Sequence, residues 1–302
     1  MSKPLLARDL IMAGLEHGEL RSMSRTGELR HLRRGAYFTA EQLTAEQYHR
    51  LLVEATFQLA ESDSVISFGS AAVIHQLPVP RAAMQLVHLT RNRNCSGRIR
   101  TGVHVHVAPI AGPEAVVIDG LRVTSLDRTF VDLARTVRLS EAVAAGDAAL
   151  RRGMDPRAVV EQLEQAKRRR GIRTARRAAS VIDARSQSYG ESLSRVVMIE
   201  HGLPLPELQV AFDGPDGFHA EVDFCWEDMK VIGEFDGEIK YGRLLRPGEV
   251  AGDAVFREKQ REDRLRELGY IVVRWVWDDL FHPERLVARI RRALELGARL
   301  RR

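Results

Sequence analysis

The chain has 302 residues, 44% of them hydrophobic and 29% charged, which excludes a disordered protein and leaves room for about two folded domains. Its two cysteines show no Cys-x-x-Cys spacing, which argues against a zinc ribbon or a disulfide scaffold. The sequence predicts no signal peptide and contains no run of the roughly 20 apolar residues that a membrane span requires. We therefore expect a cytoplasmic protein without a membrane partner.

The net charge of +5 is unevenly distributed along the chain. Arginines concentrate in residues 21–34, 151–185 and 285–302. Clustered arginine favours a polyanionic partner, with nucleic acid first. The alternative is a set of solvated helix faces that keep the protein soluble.

Residues 1–40 are predicted to form a winged helix-turn-helix, because two short helical patterns precede a basic hairpin. The second helix, starting near Glu19, would enter the major groove of DNA. The candidate DNA contacts are Arg21, Ser24 and Arg25 on this helix and Arg30, Arg33 and Arg34 on the wing. A small packing module that binds protein is the alternative.

Residues 41–150 are predicted to form an α/β region. We expect a helix over 45–62, strands over 86–90, 103–107 and 121–123, and a helix from near Asp127. Strict alternation in 103–107 puts His104 and His106 on one face of a strand. The pair could bind a metal, but no third ligand is apparent, so a solvated strand face is the favoured interpretation.

Several segments of the first half carry a family resemblance, namely Leu32–Tyr37, Ser70–Ala72, Val87–Thr90, Gly102–His106 and Val123–Ala134. With the basic N-terminal region, they resemble the AbiEi family of type IV antitoxin-like proteins. The resemblance implies a DNA-binding protein that represses its own operon, with a toxin or a second copy of the chain as a further partner. Within Val123–Ala134 we expect Arg128 and Asp132 to pair on one helix face.

Residues 151–185 are predicted to be a basic linker helix. Its candidate phosphate contacts are Lys167, Arg168, Arg169 and Arg170. Such contacts contribute salt-dependent affinity for DNA and do not read its sequence.

Residues 186–302 are predicted to form a mixed sheet flanked by helices. Glu191 falls in the first turn of a helix, strands follow over 208–212, around Asp223 and around Glu234, and a charged helix leads to a strand over 270–275. Asp223 and Glu234 lie on neighbouring strands and would repel each other without a cation between them. The alternative is that both pair with Arg261 or Arg274.

The order of Glu191, Asp223, Glu234 and Asp236 resembles the PD-(D/E)XK nuclease superfamily, closest to the branch related to very-short-patch repair endonucleases. The resemblance implies a restriction-endonuclease-like fold and Mg²⁺- or Mn²⁺-dependent hydrolysis of phosphodiester bonds in DNA. In that scheme Asp223 and Glu234 are direct metal ligands, and Glu191 completes the set. The whole chain is then a mixed α/β protein.

One departure from the superfamily pattern bears on activity, because Asp236 occupies the usual lysine position. Either Lys240 reaches back to orient the attacking water, or Asp236 becomes an additional ligand, or the site is degraded. In the last case the chain is an antitoxin-like transcriptional regulator with an inactive nuclease-like domain. Trp226 and Tyr241 either stack on nucleic acid or pack in the core.

Overall fold

The computed structural model describes residues 3–39, 42–92, 97–100, 102–214, 218–237 and 251–300, with only the backbone for 251–258. The chain divides into two compact units, Met1–Val181 (unit 1) and Ile182–Arg302 (unit 2). Both combine helices and sheets, so the mixed α/β class is confirmed. Among the described helices, none has the length and apolar character needed to cross a membrane.

Unit 1 begins with a three-stranded sheet and two helices. The elements are β1 (Leu5–Leu6), α1 (Ala7–Met12), α2 (His17–Thr26), β2 (Leu29–Arg33) and β3 (Ala36–Thr39). The strands are antiparallel in the order β1-β3-β2. A capping box starts α2, with the Glu16 amide donating to the Glu19 carboxylate at 2.8 Å, and Gly27 at φ +85° ends it.

Two details of this region differ from the sequence-based expectation. The apolar stripe that begins at Leu5 predicts a helix, but Leu5 and Leu6 form a strand because they pair with Tyr37 and Ala36 of β3. The pattern of residues 32–38 predicts a single return strand, but the hairpin reverses at Gly35, with φ +76°, and divides these residues between β2 and β3.

A six-stranded mixed sheet forms the centre of unit 1. It contains β4 (Val65–Ile66), β5 (Val87–Arg91), β6 (Arg98–Arg100), β7 (Val103–Val107), β8 (Ala115–Ile118) and β9 (Leu121–Thr124). The order is β6-β7-β5-β4-β9-β8, with β5/β7 and β4/β9 parallel. Apolar strand residues such as Ile66, Leu89 and Val123 are fully buried and pack in one cluster with apolar residues of the helices.

The helices of unit 1 are α3 (Ala45–Phe57), α4 (Phe68–Ile74), α5 (Leu126–Ala134), α6 (Leu139–Arg151), α7 (Pro156–Gln165) and α8 (Ile172–Ala179). Helix α3 stops at Phe57 instead of residue 62, because the chain turns there toward β4. Arg128 and Asp132 pair on α5 at 2.8 Å, as expected from their spacing.

The basic interval 151–185 does not form a single linker helix. Asp155 caps the N-terminus of α7 with Pro156 in its first turn, and Gly171 with φ +80° interrupts the chain before α8. Ala175 and Ala178 of α8 are fully buried within unit 1. Both helices are therefore part of the unit 1 fold, and the division between units follows Val181.

Unit 2 is a four-stranded sheet with helices on both faces. Its elements are α9 (Tyr189–Glu200), β10 (Glu207–Asp213), β11 (His219–Trp226), β12 (Val231–Phe235), α10 (Ala251–Glu267), β13 (Ile271–Trp275), α11 (Trp277–Phe281) and α12 (Pro283–Leu300). The order is β10-β11-β12-β13, antiparallel except for the parallel pair β12/β13. One face packs around Phe224 and Trp275, and the other around Ile232 and Cys225.

Candidate functional site

Polar residues occupy one line that crosses all four strands of the unit 2 sheet. Glu234 lies opposite Arg274 in β13. Extending the β11/β12 register by one residue from the Phe224/Gly233 pair places Asp223 opposite Glu234, and the β10/β11 pairs on either side place Gln209 opposite Asp223. We call Gln209, Asp223, Glu234 and Arg274 the polar row. Gln209 has φ +53°, a left-handed backbone that interrupts the regular ladder at this line.

Glu234 is buried and bound by two arginines. Arg274 Nε donates to its Oε2 at 2.8 Å, and Arg261 Nη2 of α10 donates to its Oε1 at 2.5 Å. Arg274 also contacts Glu262 at 3.0 Å. The carboxylate charge is therefore balanced inside the protein. For Glu234, this arginine pairing is the alternative to a metal site that the sequence left open.

The other two predicted ligands have different partners. Asp223 Oδ2 accepts from the amide of Phe235 at 2.8 Å, which ties β11 to the end of β12. Glu191 is buried in the first turn of α9, where its Oε2 accepts from the Gln187 amide at 2.8 Å and from Gln209 Nε2 at 2.9 Å. Gln209 thus connects Glu191 to the polar row, a connection that the sequence did not reveal.

The three carboxylates do not form a ready cation cage in this structure. Among described residues, the group with one donor atom from each member within 4.8 Å of the others is His88, His104 and His106. Glu191, Asp223 and Glu234 would need side-chain rearrangement to reach such spacing.

The other residues that the sequence analysis named in unit 2 differ in their surroundings. Asp236 directly follows β12 and its amide donates to the Trp275 carbonyl at 2.8 Å. Trp226 is buried and donates to the Pro204 carbonyl at 2.7 Å, so it packs in the core instead of offering a stacking face. Lys240 and Tyr241 lie outside the described residues.

The basic residues of α2 and the hairpin fall into two groups. Arg21, Arg25, Arg30 and Arg34 are exposed, and within the described ranges they have no ion pair or hydrogen-bonded side-chain partner. Ser24 is half-buried on α2. Arg33 instead points toward α3, where it donates to the Thr56 hydroxyl. Burial lowers the pKa of Arg33, and its guanidinium is less accessible to DNA than those of its neighbours.

The predicted phosphate contacts of residues 167–170 lie in the turn between α7 and α8. Lys167, Arg168 and Arg170 are exposed, and Arg169 is half-buried. The carbonyl of Arg170 accepts from Arg135 Nε at 3.1 Å, which fixes the turn against the end of α5.

The sequence missed one member of a histidine cluster in unit 1. Alternation along β7 identified His104 and His106, but His88 lies on β5, which pairs with β7 in parallel and puts His88 opposite His104. An isolated histidine in a five-residue strand has no signal that predicts this register. Only the pairing of the two strands brings the third imidazole to the same face.

Comparison with known proteins assigns the chain to a family. No family model matches the sequence. The chain is 39% identical over 201 residues to "Uncharacterized protein Rv2248" and "Uncharacterized protein MT2308" from two strains of Mycobacterium tuberculosis. The match covers 66% of this chain and 71% of each relative. The chain belongs to the family of these mycobacterial proteins.

A comparison of folds gives a weaker similarity. The crystal structure of the RV2827C protein from Mycobacterium tuberculosis aligns with 71% of this chain and 84% of its own, at 12% identity and a TM-score of 0.39. A similarity of this size transfers neither fold nor function to the present chain.

Proposed function

We propose that the chain is a DNA-binding protein whose unit 2 hydrolyses phosphodiester bonds in DNA with Mg²⁺ or Mn²⁺. The observation that carries the proposal is the polar row. It aligns Asp223 and Glu234 across neighbouring strands and reaches Glu191 through the 2.9 Å contact of Gln209. Glu191 and Glu234 are buried, and a buried acidic group is costly unless it is paired, so apolar residues would be the simpler choice for packing alone.

The donor chemistry of the row fits a hard divalent cation, because carboxylate oxygens are the protein ligands that Mg²⁺ takes. Asp223 and Glu234 would hold the ion, and Glu191 would complete the set. A cation bound there would supply an activated water and neutralise charge on the phosphate. In line with the family resemblance, either Lys240 would orient the attacking water or Asp236 would add a ligand.

The two arginines on Glu234 suggest how DNA and the row are coupled. A guanidinium binds phosphate as well as carboxylate, with comparable geometry. A DNA phosphate would therefore compete with Glu234 for Arg261 and Arg274. That competition would free the Glu234 carboxylate while DNA is bound, so cation affinity should rise in its presence.

Unit 1 supplies the proposed DNA contacts. The exposed arginines Arg21 and Arg25 lie one helical turn apart on α2, and Arg30 and Arg34 lie on the hairpin that follows. Unpaired arginines on one helix and an adjacent hairpin suit phosphate contacts along a duplex. Lys167, Arg168 and Arg170 would extend the same electrostatic attraction.

Nicking of supercoiled plasmid tests the hydrolytic proposal directly. We expect the full chain to nick DNA with Mg²⁺ or Mn²⁺ and to lose nicking, but not DNA affinity, in Glu234→Gln and Asp223→Asn. The matched control is Glu227→Gln, an exposed glutamate between β11 and β12, which should keep activity. No nicking by the unmodified chain with either metal would contradict the proposal.

A second candidate is an antitoxin-like transcriptional regulator with an inactive nuclease-like unit. The ion pairs of Arg261 and Arg274 with Glu234 favour it, because they already balance the charge that a cation would balance. Its partners would be DNA and either a toxin or a second copy of the chain. Protection of the DNA upstream of its own gene, together with absent nicking, would distinguish it from the enzyme.

A further inference from the structure

Three imidazoles gather on one face of the unit 1 sheet. The parallel register of β5 and β7 places His88 opposite His104, and Thr90 opposite His106. His88 and His104 are thus cross-strand neighbours, and His106 follows two residues further along β7 on the same face. All three side chains are half-buried.

The distances within the cluster suit chelation. One ring nitrogen from each histidine lies within 4.8 Å of the other two. His88 Nδ1 and His106 Nε2 are hydrogen-bonded at 2.9 Å. The ring of His106 stacks on that of His104 at 3.8 Å and on Phe68 at 3.9 Å, so packing restrains its orientation.

The protonation state of the cluster also favours metal binding. Burial lowers the pKa of His88 to about 4 and that of His106 to about 3, and it lowers the pKa of His104. Neutral imidazole is the form that ligates metals. In the absence of metal, the hydrogen bond between His88 Nδ1 and His106 Nε2 gives each of these two nitrogens a partner.

The charges around the cluster indicate the nature of the remaining ligand. Arg135 and Arg169 are close enough to lower the pKa of His106, and Asp132 pairs with Arg135 at 2.8 Å. Three neutral ligands do not balance a dication, and the nearby arginines add positive charge. An anion in the open coordination position would offset both effects.

We propose that His88, His104 and His106 form a site for a borderline transition-metal ion of the Zn²⁺ class, with the fourth position open to water or an anion. Imidazole nitrogen is a preferred ligand of Zn²⁺, whereas Mg²⁺ and Ca²⁺ take oxygen ligands. Three histidines with an open position are the ligand set of catalytic more than of structural zinc sites. The site is separate from the polar row and does not depend on the hydrolytic proposal.

Metal titration of the full, untagged, chelator-treated chain tests the site. We expect one equivalent of Zn²⁺ to compete with a chromophoric chelator and one equivalent of Co²⁺ to give a visible absorption band. His104→Ala and His88→Gln should lower the affinity by at least about 100-fold, the upper end of what loss of a supporting residue costs. His17→Ala, at an exposed position of α2, should leave it unchanged.

A control variant in unit 2 and two measurements of folding complete the test. Asp223→Asn should retain Zn²⁺ binding, because it alters the polar row only. Far-UV circular dichroism should show that the histidine variants are folded, and Zn²⁺ should raise the melting temperature of the unmodified chain but not of these variants. Absence of stoichiometric binding by the unmodified chain, or unchanged binding in both histidine variants, would overturn the proposal.

Discussion

Glu234 and Arg274 lie opposite each other on the parallel strands β12 and β13, with Arg274 Nε donating to Glu234 Oε2 at 2.8 Å. Arg261 binds the other carboxylate oxygen. Glu234→Gln would leave two half-buried guanidinium groups without their shared countercharge. We expect the free energy of unfolding of unit 2 to fall by about 2 kcal/mol in a urea titration, less than for a fully buried pair because solvent reaches both arginines.

A matched exposed pair provides the control for this stability effect. Glu267 contacts Arg264 at 2.8 Å, and both side chains are exposed. Glu267→Gln should change the free energy of unfolding by no more than about 0.5 kcal/mol. Equal losses in the two variants would show that the Glu234 ion pairs contribute no more than a surface pair.

The proposed DNA surface of unit 1 predicts a change in salt dependence. Arg21→Ala or Arg25→Ala removes an exposed charge that has no protein partner within the described ranges. Each substitution should weaken DNA binding across sequences and reduce the slope of log affinity against log salt by about 1. Fluorescence anisotropy at several salt concentrations measures both quantities.

Arg33 offers the contrasting case on the same hairpin. Its guanidinium donates to Thr56 instead of facing solvent. Arg33→Gln should therefore lower the stability of unit 1 and leave the salt slope nearly unchanged. A slope reduced as much as in Arg21→Ala would indicate that Arg33 leaves Thr56 and contacts phosphate.

The buried His49 of α3 predicts acid sensitivity of unit 1. Burial lowers its pKa from 6.5 to about 4. The unfolded chain then binds the proton more readily than the folded chain, so stability is present above pH 6.5 and is lost as the pH falls toward 4. The difference between the two pKa values corresponds to about 3 kcal/mol.

Chemical denaturation at pH 7 and pH 5 checks this assignment. His49→Gln keeps a polar group near the Ser70 hydroxyl, which His49 contacts at 2.9 Å, and removes the titration. The variant should lose less stability on acidification than the unmodified chain, although His88 and His106 continue to contribute. The exposed His17→Gln should behave like the unmodified chain; an identical acid response in His49→Gln would refute the prediction.

Close packing of α12 predicts opposite outcomes for one substitution at two helical positions. A Cβ on Gly297 would lie 1.8 Å from the Met229 carbonyl oxygen, and backbone cannot move aside easily. Gly297→Ala should destabilise unit 2 by about 3 kcal/mol. A Cβ on Gly18 of α2 would meet no atom within 4 Å. Gly18→Ala should therefore leave the stability of unit 1 unchanged or raise it by up to about 1 kcal/mol. Thermal unfolding of both variants measures these effects.

Local pattern predicted much of unit 2. Apolar runs located β11, β12 and β13, the polar residues 227–230 separate β11 from β12, and the expected charged helix, α10, precedes β13. Asp223 and Glu234 were recognised because acidic residues stand out inside such runs. The pairing of Glu234 with Arg261 and Arg274 was identified as an alternative, but sequence pattern contains no information on which side chains approach within 3 Å.

Contacts between distant segments account for what pattern did not predict. Gln209 joins Glu191 to the polar row only because β10 pairs with β11 around an irregular residue. His88 meets His104 only because β5 and β7 are parallel. The basic interval folded into two helices because Gly171 and Pro156 interrupt it and buried alanines hold α8 within unit 1.

Cys225 lies in the unit 2 core beside Ile232 and Leu265, and desolvation raises the pKa of its thiol to about 11. A thiol that is both enclosed and protonated at neutral pH reacts slowly with alkylating reagents. The rate at which this side chain is alkylated, followed by peptide mass mapping, would report how often the β11 and β12 region opens. Unit 2 thus contains an intrinsic reporter that needs no engineered label.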